Sequence, residues 1–208
     1  DPRIYGYRLR GGRSMSGLDI APDKMQPKAF AFDAEHDARA NVIIAKYPDA
    51  KKQSAVMPLL DLAQRQHGGW IPRAAIEMIA DRLEMPSIRV WEVATFYTMY
   101  FLAPKGQHKV QVCTTTPCWL RGSDDVVNAC KDHLGIGFGQ VTEDGKFSLH
   151  EVECLGACVN APMIQIDDDY YEDLDAASTT RILEAFAKGE TPEHGPQNGR
   201  RGSEPAKA

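Results

Sequence analysis

Five cysteines, all between positions 113 and 158 with none in the first 112 residues, constrain this 208-residue chain more than any other feature. Four form two pairs, Cys113-x4-Cys118 and Cys154-x3-Cys158, and Cys130 lies between them. An odd count crowded into one half of a chain this long is not the pattern of a secreted disulfide scaffold, which is shorter and carries an even number. Two separated pairs can instead surround one metal centre. The chain must then fold so that two distant loops meet.

The residues around the pairs predict such a fold. Val110 and Val112 alternate in a short strand running into Cys113, and Trp119 to Leu134 reads as a helix with Val126, Val127, Cys130 and Leu134 as its buried stripe, ended by Gly135. Phe147 to Val152 alternates again as a second strand. A helical crossover makes the two strands parallel, so their C-terminal ends share one sheet edge and both cysteine loops leave from it. Met163, Ile164 and Ile166 form a third strand, Tyr170 and Tyr171 begin a fourth, and a helix over Ser178 to Lys188 stops at Gly189. The order β-α-β followed by β-β-α predicts an α/β domain of thioredoxin-like arrangement over residues 104–189, with a four-stranded mixed sheet.

Upstream, residues 33–103 show helical periodicity with breaks. Asp33 caps a helix toward Tyr47, Ser54 to His67 ends at Gly68-Gly69, a third helix opens with Pro72 and stops before Pro86, and Ser87 caps a fourth to Tyr97. The expectation is a small bundle without catalytic or metal-ligand spacing. His67 reads as a helix-end residue, and Trp70, Trp91, Phe96 and Tyr97 as core or docking surface. Residues 1–32 read as a flexible arm: within its first thirteen residues Arg3, Arg8, Arg10 and Arg13 against one acid are compatible with a targeting segment, and Met15 offers an alternative start. Residues 190–208, rich in Pro, Gly and charge, read as an extended tail that orders only against a partner.

Composition excludes two classes. The longest nearly apolar run, Val93 to Ala103, is interrupted by Thr95 and Thr98 and falls short of the roughly 18 to 20 residues that cross a bilayer. With 24 Lys and Arg against 29 Asp and Glu, the net charge of −5 gives no electrostatic case for nucleic acid.

Spacing leaves the identity of the centre open between zinc and iron–sulfur. Structural zinc sites space paired cysteines at about two to four intervening residues, which covers both pairs here, and tend to staple domains without another core. A two-iron cluster also takes four thiolates and tolerates looser pairs. Thr114, Thr115 and Thr116 offer donors to sulfur, and Gly156 offers close backbone approach. A thiol–disulfide function fails on spacing, because that chemistry uses Cys-x-x-Cys at a helix start. Cys130, mid-helix on an apolar stripe, reads as a buried hydrophobe. Between Lys146 and Arg181 there are eight acids and no Lys or Arg. Beside a cluster of net charge about −2, that stretch predicts a low reduction potential.

The run Asp144-x2-Phe147-Ser148-x5-Cys154-Leu155-Gly156-x-Cys158-x2-Ala161-Pro162 resembles the signature of the thioredoxin-like [2Fe-2S] subunit of respiratory complex I. Ser54-Ala55-Val56 through Gln64, Glu92 through Met99, and Val112-Cys113-Thr114-Thr115-Thr116-Pro117-Cys118 resemble further blocks of that family, and the likeness extends from about Phe30 into the tail. The resemblance implies that Cys113, Cys118, Cys154 and Cys158 bind one [2Fe-2S] cluster. It implies docking of the helical segment and tail on the NADH-binding flavoprotein subunit, which holds FMN and NADH, beside other peripheral-arm subunits. It also implies single-electron exchange with that flavin by a cluster off the main path to quinone, on the bacterial cytoplasmic face or mitochondrial matrix side. The chain itself has no G-x-G-x-x-G following a strand and so no dinucleotide site of its own. Equivalent subunits of NAD-linked hydrogenases and formate dehydrogenases share the cysteine pattern, and the tail His194 to Arg200 resembles the complex I type. A zinc-stapled interaction domain is the alternative from another class.

Overall fold

The computed structural model describes residues 19–205. The expectations for residues 1–18, the basic arm, the targeting segment and the Met15 start, lie outside the described residues. The chain forms two compact units that divide in sequence between Pro104 and Lys105.

In the first unit, α1 (Ala34–Ile44), α2 (Val56–Gln66), α3 (Arg73–Leu83) and α4 (Ser87–Phe96) share one apolar core. The Asp33 carboxylate accepts the His36 N–H at 2.8 Å and caps α1. The face predicted for α3, Ile76, Ile79, Ala80 and Leu83, is buried, as are Leu59, Leu60, Leu62 and Ala63 of α2. Two starts differ from expectation. Residues Asp49–Ala55 form a 3-10 segment before α2, and Pro86 rather than Ser87 occupies the cap of α4. Residues 19–32, read from sequence as arm, pack against this unit instead. Ala21 is buried beside Trp70 and Ala103 and its N–H donates to the Leu102 carbonyl at 2.9 Å, while Phe30 and Phe32 lie on the helical core. Their apolar side chains lose water by packing, which a charge count alone does not register.

The second unit contains β1 (His108–Cys113), α5 (Thr116–Leu120), α6 (Ser123–Leu134), β2 (Gln140–Val141), β3 (Phe147–Val152), β4 (Ile164–Ile166), β5 (Asp169–Glu172), α7 (Ala176–Ala187) and β6 (Gly195–Pro196). The sheet order is β2-β3-β1-β4-β5-β6. β1 and β3 are parallel with Cys113 opposite Val152, β1–β4 and β4–β5 are antiparallel, and the mixed thioredoxin-like core follows the expected order. The sheet has six strands rather than four because two-residue strands flank it: β2 pairs β3 antiparallel and β6 pairs β5 in parallel. Such short segments carry no readable alternation. The helix expected over Trp119 to Leu134 is broken into α5 and α6 at Gly122, whose φ of +93° only glycine adopts without strain. Gly106 is required sterically, since a Cβ there would sit 2.2 Å from the Phe147 carbonyl carbon.

The tail differs most from expectation. Beyond β6, Arg200 forms an ion pair with Asp173 at 2.6 Å with both side chains 7% exposed, and the Gly202 carbonyl accepts from Asn160 at 2.9 Å. Residues 195–204 therefore order on their own domain, because backbone pairing and a buried charge pair stand in for an apolar face.

Candidate metal centre

Cys113 closes β1, and Cys118 follows on α5 after a tight turn. Both are buried, in a small apolar cluster with Ala161 and Met163 against which Leu155 and Ala157 of the other cysteine loop pack. Cys154 lies two residues beyond the end of β3 and Cys158 opens a single 3-10 turn, Cys158–Asn160. These two are exposed, with sulfurs 3.2 Å apart. The parallel register of β1 and β3 thus delivers both loops to one sheet edge, each carrying one pair. Cys130 is fully buried inside the second unit's main core on α6 and belongs to neither loop. All five thiols are free.

The sulfurs sense one another. Burial opposes ionisation of Cys113, yet the Thr115 hydroxyl at 3.3 Å, the Thr115 N–H, the Cys118 thiol and the Leu155 N–H together bring its pKa below the ordinary thiol value. Burial, then the proton shared with Cys113, pushes Cys118 up, against one backbone N–H from Met163. The hydrogen bond from Cys154 raises Cys158, which also feels the charge of Cys113. Burial alone pushes the Cys130 thiol up to about 12. Ionising the thiols of both loops together would require cationic charge among them, so the donor set fits a thiolate-ligated metal centre. Among the described residues no three His, Cys, Asp or Glu side chains group about one ion position. Each loop contributes one pair of thiols, a donor set that a four-cysteine zinc and a two-iron cluster share.

Of the three threonines, Thr115 reaches sulfur, whereas Thr114 donates to Glu151 at 2.9 Å. Gly156 acts by conformation rather than close approach: its φ is +88°, and nothing lies within 4 Å of a Cβ placed there. The acid-rich stretch is partly compensated. Asp167 contacts His108 at 2.8 Å and Lys109 at 3.4 Å, Asp173 pairs with Arg200, and Asp175 caps α7. Spacing did not reveal Tyr170, whose hydroxyl donates to the Leu155 carbonyl at 2.8 Å and pins the second cysteine loop. Nor did it reveal Arg200, whose position depends on the fold of the tail.

Among known proteins, the family profile described as thioredoxin-like [2Fe-2S] ferredoxin matches residues 40–187. A subunit of the NADH-quinone oxidoreductase of Rickettsia bellii is 60% identical over 155 residues, covering 74% of this chain and 93% of the relative. NADH dehydrogenase [ubiquinone] flavoprotein 2, mitochondrial, of Dictyostelium discoideum is 49% identical over 182 residues, covering 88% of this chain and 74% of the relative. A crystal structure of an NAD+-reducing [NiFe]-hydrogenase in the air-oxidized state aligns with a TM-score of 0.54 at 21% identity, over 62% of this chain and 23% of that one, a likeness of fold.

Proposed function

We propose, from the premise that this chain belongs to the thioredoxin-like [2Fe-2S] ferredoxin family, that it is the small electron-transfer subunit of an NADH-quinone oxidoreductase. Cys113, Cys118, Cys154 and Cys158 are the ligands of one two-iron cluster in this reading. The observation that carries it is the parallel β1–β3 pair, which places one cysteine pair at each of two adjacent strand ends. Relatives at 60% and 49% identity are named for NADH dehydrogenases, whereas the hydrogenase likeness at 21% speaks only for fold, so the complex I reading stands ahead of the hydrogenase one.

When bound, a two-iron cluster takes up and releases one electron at a time. The protein's part is to hold the sulfurs asymmetrically. Cys113 and Cys118 are buried and hydrogen-bonded, while Cys154 and Cys158 face solvent, so a cluster held by all four would have its accessible side at the second pair. Trp119, Leu120 and Val159, each next to or near a ligand in sequence, are large apolar side chains more than half exposed. They suit contact with an NADH-binding flavoprotein subunit that contributes FMN as electron donor. No helix among the described residues is long and apolar enough to cross a membrane, which fits a peripheral arm held by other subunits. Free thiolate ligands fit its reducing side, bacterial cytoplasm or mitochondrial matrix.

Metal and acid-labile sulfide analysis with low-temperature paramagnetic resonance, before and after dithionite, tests the reading. The expected result is about two irons and two sulfides per chain and a paramagnetic signal only after reduction. Colourless protein carrying zinc and giving no signal would establish the zinc-stapled alternative.

A further inference from the structure

The loop that carries Cys154 and Cys158 has one 3-10 turn as its only regular structure, and both cysteines are exposed. Something outside the loop must hold it to the tolerance a cluster requires. Two carbonyls of its turn are tethered from beyond it: Asn160 O accepts the Asp173 N–H at 2.7 Å, and Val159 O accepts from Arg200 Nη2 at 2.9 Å. Val159 directly follows Cys158. Arg200 is itself fixed by a two-pronged bond to Asp173, Nε and Nη2 each 2.6 Å from a carboxylate oxygen. Asp173 adopts a φ of +53°, a left-handed conformation that aspartate tolerates better than most residues. Asn160 donates to the Gly202 carbonyl and to Glu172, and the tail is threaded to this point by β6. One guanidinium therefore joins the tail, the end of β5 and the carbonyl next to a cysteine.

We propose that Arg200 is a positioning residue for the cluster: residues 195–204 form a strap that clamps the turn bearing Cys158 through the Asp173–Arg200–Val159 relay. The inference rests on the ligand assignment above. Arginine suits the task because its planar fork grips the carboxylate with two nitrogens while still donating to a carbonyl, which an ammonium cannot reproduce. Groups that orient ligands in this way change metal retention by about 10- to 100-fold when removed.

The test uses the full chain carrying its cluster, with Arg200→Gln, Arg200→Lys and a control, Phe186→Leu, that weakens the core of the same unit away from the loop. Iron release to an added chelator is timed for each protein at the same interval below its own melting temperature. The paramagnetic spectrum of each dithionite-reduced protein is recorded alongside. Arg200→Gln is expected to release iron roughly tenfold faster than the control, with an altered spectrum, and Arg200→Lys to fall between. Arg200 variants that match Phe186→Leu in both measurements overturn the strap, since general stability then explains the loss. If Arg200→Gln does not fold, the comparison of Arg200→Lys with the control decides alone. Wild-type protein without two irons and two sulfides would instead overturn the cluster reading, a result distinct from a loaded wild type whose Arg200 variants behave like the control.

Discussion

Cys130 and Cys113 are both inaccessible to solvent, yet their surroundings give the two thiols opposite chemistry. Cys130 lies in an apolar core with a thiol pushed up to about 12 by burial, so it stays protonated and inert. Around Cys113, four donors favour the thiolate. Burial alone therefore does not set the ionisation of these two thiols; the hydrogen-bond donors around them do. Cys154→Ser is expected to cut retained iron by on the order of tenfold or more, because a thiolate ligand is removed. Cys130→Ala is expected to leave the spectrum intact while costing about 1 kcal/mol of stability through a small cavity. Iron analysis with a denaturation curve on both variants checks the pair, and loss of cluster in the second would refute the ligand set. The cysteines are legible from the sequence because residue type and spacing announce them, and the run Thr114 to Thr116 marks donors beside them without saying which one reaches sulfur. Tyr170 and Arg200 are not, because a tyrosine or arginine acquires its role from the carbonyl it happens to reach.

Among the elements, those with strong periodicity or explicit end signals are the readable ones. β3 spans the expected Phe147–Val152, and α3 buries the predicted face. Helix α7 begins earlier than its apolar stripe suggests, because Asp175 and Ser178 form a reciprocal capping box. The Ser178 N–H, then its hydroxyl, lower the Asp175 pKa beneath its usual 3.8. A depressed carboxylate pKa contributes stability that is present above the unfolded value and is lost as pH falls through the folded one. Asp175→Ala should therefore destabilise by about 1 kcal/mol at pH 7. The gap to wild type should narrow below about pH 4, as the wild-type carboxylate protonates. Paired melting curves from pH 7 to pH 3 measure it, and a gap that stays constant with pH would contradict the cap's ionic character. The helix expected over Trp119 to Leu134 keeps its apolar period across the Gly122 break, so periodicity conceals the interruption.

For the whole molecule, the charge pattern and the cluster site act together. The net charge of −5 is spread unevenly, but Lys109 and Arg200 meet Asp167 and Asp173, so the acid-rich stretch is less negative than its sequence. The cluster midpoint is expected well below zero, toward the roughly −400 mV of plant-type two-iron proteins. A redox titration with a midpoint near or above zero would refute it. The order of strands and helices, the two cysteine pairs and the helical character of residues 33–103 were determined by the sequence itself, because periodicity, turn residues and ligand spacing are local quantities. The packing of residues 19–32, the two short flanking strands and the clamp of Arg200 on the Cys158 turn were decided only by the tertiary structure. Each depends on a partner group far along the chain, and no local pattern encodes which backbone carbonyl or carboxylate will be there to receive it.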